Sequence, residues 1–165
     1  MGQKNDGAAL SMILLTHERL VPQQVADAAE SALNGGAGAV VTFVGTVRDH
    51  SRGLDGKRHQ VDFLEYSAYE PMAQSEMRRV SEDVKKRWKL PCAIAHRLGR
   101  LTIGEASVVI AVASPHRGEA FEACHWAIDR LKETVPVWKK EVAQDGTWWV
   151  ENPTENTNHA AVSTE

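Results

Sequence analysis

Ala39-Val40-Val41-Thr42-Phe43-Val44-Gly45-Thr46-Val47 is apolar on both alternating faces. A run of this kind fits a strand covered from two sides, so it predicts the centre of a sheet with helices above and below. Before it, residues 12–16 read as a short strand. Pro22 stands at a first helical position, with Val25, Ala28, Ala29, Ala32 and Leu33 on one face and Gly35-Gly36 as the stop. After it, the polar residues 51–60 read as a mobile loop beside the strand. Residues 61–69 predict another strand, and Pro71 opens a helix striped by Met72, Met77, Val80 and Val84 that ends near Trp88. Residues 91–98 and 106–113 predict two more strands, joined through 99–105. Phe121, Cys124, Ile128, Leu131 and Val135 recur at spacings of three and four, a helical core stripe. Pro136 ends that helix, residues 137–143 form a strand, and Asp145-Gly146 turns the chain back through Trp148-Trp149-Val150. Strands and helices in this order give an α+β (mixed α/β) sandwich. One domain is expected over residues 12–151, with 1–11 a flexible lead and 152–165 a disordered tail.

The composition narrows the function. The 165 residues carry 42% hydrophobic and 25% charged side chains, ordinary for a globular domain that needs no staple. Nineteen basic against 22 acidic residues give a net charge of -3, which argues against a nucleic-acid surface. An anion site here must be a local cluster of cations. The two cysteines, Cys92 and Cys124, stand apart in apolar surroundings, and no histidine pair has zinc spacing, so neither a metal nor a redox centre is expected. No apolar run approaches the roughly 20 residues that span a bilayer, and the start of the chain has no signal core, so the cytoplasm is the expected location and no membrane partner is expected.

Three segments place cations where the chain turns. In Gly45-Thr46-Val47-Arg48, a glycine inside a strand suggests close approach, and the arginine at its end can fork onto phosphate or form an ordinary surface ion pair. Ser114-Pro115-His116-Arg117-Gly118 lies between a strand and the long helix, where backbone N–H groups make an anion seat or simply a capped helix start. In Lys132-Glu133-Thr134-Val135-Pro136-Val137-Trp138-Lys139-Lys140-Glu141, Lys132 flanks the core stripe and a second lysine follows across a proline corner. Alternation puts Lys139 and Glu141 on one face of the strand. His96, inside an apolar strand, reads as a satisfied core residue.

Taken in order, several pieces resemble the large subunit of molybdopterin synthase. They are Gly38 through Arg48, Leu64-Glu65-Tyr66, Tyr69-Glu70-Pro71-Met72, His96-Arg97-Leu98-Gly99, His116-Arg117, Leu131-Lys132 and Pro136-Val137-Trp138-Lys139-Lys140-Glu141. The likeness runs from about residue 38 to 151. It implies an α/β hammerhead-type fold with an additional antiparallel β subdomain. It also implies a homodimer in which each copy binds a small ubiquitin-like sulfur-carrier subunit, giving a heterotetramer. The implied reaction moves sulfur from the carrier's C-terminal thiocarboxylate to cyclic pyranopterin monophosphate, with no cofactor of the enzyme's own.

Carried over by the same resemblance, Lys132 and Lys139 are the catalytic lysines. Arg48, His116 and Arg117 hold the anion and the pterin, with Lys140 and Glu141 lining the same pocket. Thr46 and Val47 complete the substrate-binding stretch, Thr46 through its backbone because some members carry lysine there. Lys132 is assigned the proton and Lys139 the stabilisation of charge. Cys124 on the core stripe and Cys92 at a strand start are poor sulfur donors, in keeping with an external carrier. Two other readings compete: a phosphatase or phosphotransferase using Arg48 and Arg117 as a clamp, and a non-catalytic docking module for a ubiquitin-like protein.

Overall fold

In the structure, a computed structural model that describes residues 11–52, 55–143 and 146–150, the chain begins β1 (Ile13–Thr16), α1 (Pro22–Ser31) and β2 (Ala39–Thr46). It continues through β3 (His50–Arg52), β4 (Arg58–Gln60), β5 (Phe63–Ala68), α2 (Glu70–Trp88), β6 (Cys92–Arg97) and β7 (Gly99–Thr102). Then come β8 (Ala106–Ser114), α3 (Arg117–Thr134), β9 (Val137–Ala143) and β10 (Gly146–Val150). The tail 152–165, and all of the lead but Ser11, lie outside the described residues, as does Asp145 of the expected turn.

The architecture is α+β. One sheet has the order β1-β6-β8-β2, with β1 parallel to β6 and the other pairs antiparallel. A second, wholly antiparallel sheet has the order β10-β9-β5-β7, and β3 and β4 make a separate ribbon. Alternation along the first sheet sorts its side chains. Cys92, Ile94, Val108, Ile110 and Val112 pack with Met77, Val80 and Val84 of α2 and with Cys124, Ile128 and Leu131 of α3. Ala93, Ala95, Val109, Ala111 and Ala113 point the other way, against Val25 and Ala29 of α1. Full burial of each large aliphatic side chain in such layers contributes about 1.5–3 kcal/mol.

Four expectations are corrected. The run 39–47 is not central: β2 is an edge strand, and Val44 is 37% exposed. The doubly buried strands are β6 and β8, because an apolar run reports which faces are covered and not whether both backbone edges are paired. Residues 51–60 are not simply a loop, since β3 and β4 pair in register His50↔Gln60 and Arg52↔Arg58. Residues 99–105 are not only a connection, because Gly99 at φ +87° swings the chain out of β6 and into β7 of the other sheet. Phe121 leaves the core stripe at 60% exposure, while the fully buried Ala120, Ala123 and Ala127 hold α3 close to the sheet.

Candidate active site

A cavity of about 400 Å³ opens between the two sheets at the C-terminal end of α3. Its floor is one cross-strand row of the first sheet, His96 beside Val108 beside Gly45. A Cβ on Gly45 would stand 2.7 Å from Val108 Cγ1, so the glycine answers the close approach of a neighbouring side chain. The ladder slips at the same point: Gly45 faces Val108 and Thr46 faces Ala106, leaving Ser107 to donate its hydroxyl proton to the Gly45 carbonyl at 3.2 Å. Thr46 and Arg48 follow on the rim.

The cationic wall comes from one corner of the chain. The last turns of α3 bring Ile128, Leu131 and Lys132 to the cavity. The Val135 N–H closes onto the Leu131 carbonyl at 3.0 Å, and Pro136, which has no N–H, turns the chain into β9. Period-two alternation then delivers Val137, Lys139 and Glu141 to the cavity. Opposite them on β5, Tyr66 pairs with Lys139 and Leu64 with Glu141. Glu141 is only 5% exposed; it accepts a hydrogen bond from the Ser51 hydroxyl and pairs with Lys139 Nζ at 3.6 Å.

Burial holds the Lys139 ammonium below the usual lysine range. Arg48 and Lys132 push the same way, and the Glu141 carboxylate opposes them. The Tyr66 hydroxyl is held above its ordinary value, chiefly by burial and also by the Glu141 charge, although its bond with Ser107 opposes both. Neither thiol lines the cavity. Burial raises both, Cys124 to about 11, so neither is a ready thiolate.

Thr46, Arg48, Lys132, Lys139 and Glu141 therefore meet in one place. The other expected site residues are elsewhere. Val47 is buried with Val61, Leu64 and Leu101 in the core of the second sheet. Lys140 projects from the opposite face of β9, 3.6 Å from Glu65 and over the Trp149 ring, because neighbours on a strand alternate. His116 and Arg117 line a separate shallow hollow with Gly38, Pro115 and Gly118, where the His116 N–H donates to Ser114 Oγ. They sit just past the Ala39↔Ser114 end of the β2–β8 ladder, whereas Arg48 follows its Thr46↔Ala106 end, roughly 25 Å away. The length of α3 gives roughly 22 Å between the backbones of Arg117 and Lys132.

Sequence reasoning passed over Tyr66, His96, Ser107, His50 and Ser51, four of which line the cavity while the fifth holds Glu141. Alternation along residues 63–68 puts Leu64 and Tyr66 on one face, but that signal alone does not say which face meets β9.

The chain matches the family described as "MoaE protein" over residues 15–134. The molybdopterin synthase catalytic subunit of Bacillus subtilis is 48% identical over 122 residues, covering 73% of this chain and 74% of that one. The crystal structure of molybdopterin synthase from Staphylococcus aureus superposes with a TM-score of 0.76 at 36% identity, over 84% of this chain and 96% of that one. A Helicobacter pylori structure, a complex of subunits 1 and 2 of molybdopterin-converting factor, shares the fold at 22% identity and a TM-score of 0.67, over 88% of this chain and 92% of that one. This chain belongs to the MoaE protein family and has the role of a molybdopterin synthase catalytic subunit in molybdenum cofactor biosynthesis.

Proposed function

We propose that this chain transfers sulfur from the C-terminal thiocarboxylate of a small ubiquitin-like carrier to cyclic pyranopterin monophosphate, in two successive additions that build the dithiolene. The observation that carries the reading is the convergence of Lys132, Lys139 and Arg48 on one cavity in a chain of net charge -3. Converging cations suit a phosphorylated substrate, since each charge-assisted hydrogen bond contributes about 1.5–3 kcal/mol. The open side of the cavity admits an extended carrier tail, and holding its sulfur near the pterin side chain supplies proximity. In each transfer the carrier's sulfur forms a carbon–sulfur bond to the substrate, a substrate carbon–oxygen bond breaks and the departing oxygen takes up a proton. Water then cleaves the acyl carbon–sulfur bond and leaves the carrier's C-terminus as a carboxylate.

The sequence reading gives that proton to Lys132 and the charge to Lys139. We assign the roles the other way: burial loosens the proton of Lys139, which suits an acid, and Lys132 at the helix end steadies the developing charge.

The assembly is a homodimer with one carrier per copy; the Helicobacter pylori complex of two subunits supports the carrier. If His116 and Arg117 serve the pterin, their distance from Lys139 within one chain requires that a second copy present them. Mixed dimers of Arg117→Ala with Lys139→Ala then regain one working site, and dimers of either variant alone have none.

Reconstitution with thiocarboxylated carrier and pterin precursor, assayed for dithiolene product, tests the reaction. Phosphate release from simple phosphomonoesters without a carrier overturns it in favour of a phosphatase, and carrier binding without product overturns it in favour of a docking module.

A further inference from the structure

His96 is 5% exposed and lies at the β6 end of the cavity's floor row, whose β2 end leads on to Thr46 and Arg48. Its Nδ1 sits 3.0 Å from the Arg97 carbonyl. A carbonyl only accepts, so the ring proton is fixed on Nδ1 and Nε2 keeps its lone pair. Burial supports the same state by lowering the imidazole to about 4, so the ring is neutral at working pH. The Tyr66 ring meets the imidazole edge-on at 5.5 Å and 72°, which fixes its plane. No described residue hydrogen-bonds Nε2, and no side-chain nitrogen or oxygen among the described residues is sealed from solvent without a partner. Nε2 therefore opens to the cavity that His96 lines.

Arginine and lysine only donate, so Arg48, Lys132 and Lys139 can grip an anion but cannot receive an N–H. Glu141 is already engaged by Ser51 and Lys139. We propose that Nε2 of His96 accepts a hydrogen bond from an N–H of the substrate's heterocycle, making His96 a specificity residue that admits a nitrogen-rich ring in preference to other phosphorylated compounds. The inference rests on the functional reading above and deepens it: the cations hold the phosphate, and the neutral floor reads the ring.

The experiment uses the full chain with its carrier, together with direct titration by pterin precursor and, separately, by inorganic phosphate. His96→Leu is expected to raise the Kd and KM for precursor about tenfold to a hundredfold, the cost of leaving a donor unpaired. His96→Gln, which keeps an acceptor on a side chain of similar reach, recovers most of that loss, and phosphate binding stays within about twofold in both variants. Wild-type protein labelled with 15N-histidine provides a measurement free of substitution: the Nε2 resonance of His96 shifts on addition of precursor and stays in place with phosphate. Wild-type affinity in His96→Leu, an Nε2 resonance indifferent to precursor, or equal loss of phosphate and precursor binding overturns the role of His96 alone. Wild-type protein that binds phosphate but no precursor overturns the functional reading, and this proposal with it.

Discussion

Lys139 and Glu141 are best understood as one unit, because each sets the environment of the other. The carboxylate raises the lysine against the burial that lowers it. Glu141→Gln removes the opposing charge, so the Lys139 pKa falls further. The alkaline limb of a kcat–pH profile is expected to move to lower pH, whereas an unchanged limb would show that another group carries the proton. Lys139→Ala and Lys132→Ala should each lower sulfuration on the order of a hundredfold or more while carrier binding by titration is retained. At Gly45 the prediction concerns space. Gly45→Ala drives a methyl against Val108 Cγ1 and should cost about 1–3 kcal/mol in denaturant unfolding, with Val108→Ala restoring part of it in the double variant.

At the scale of elements, the legible features were those written in local periodicity. The α3 stripe from Cys124 through Leu131, the proline stop and the Lys139/Glu141 face all follow from counting by 3.6 and by two, and the structure places them so. The features missed depend on which strand lies beside which. Nothing local to residues 39–47 reveals that one edge of β2 meets no other described strand, and nothing local to His96 reveals that Val108 and Gly45 complete its row. The distance of His116 from Lys139 likewise comes from the length of the ladder between them, and no motif encodes that length. The β3–β4 ribbon is another non-local product, held by Ser51 on Glu141 and by His59 packed 5.3 Å from Trp148. Trp148→Ala is expected to speed amide exchange at residues 50–52 and 58–60 and to leave that of α2 unchanged; equal protection in the variant would mean the ribbon stands without the ring.

For the whole molecule, the buried imidazole links function to acid stability. His96 titrates near 4 in the fold and near 6.5 when unfolded, so between those values the unfolded chain binds the extra proton. Stability therefore declines as pH falls through this window, by on the order of 3 kcal/mol for this group. His96→Gln should flatten that part of a plot of unfolding free energy against pH, and a slope unchanged in the variant would assign the acid sensitivity to other groups.

The proline corner between α3 and β9 also has an arithmetic consequence. Side chains on β9 reach the cavity or the outer face according to whether their number is odd or even, and Lys132 is anchored to the helix before the count begins. One residue inserted after Pro136, with the β5–β9 ladder re-formed one step out of phase, would exchange Lys139 and Glu141 for Trp138 and Lys140 while composition and charge stayed almost the same. Parity, more than the identity of any corner residue, decides which side chains this strand gives to the cavity.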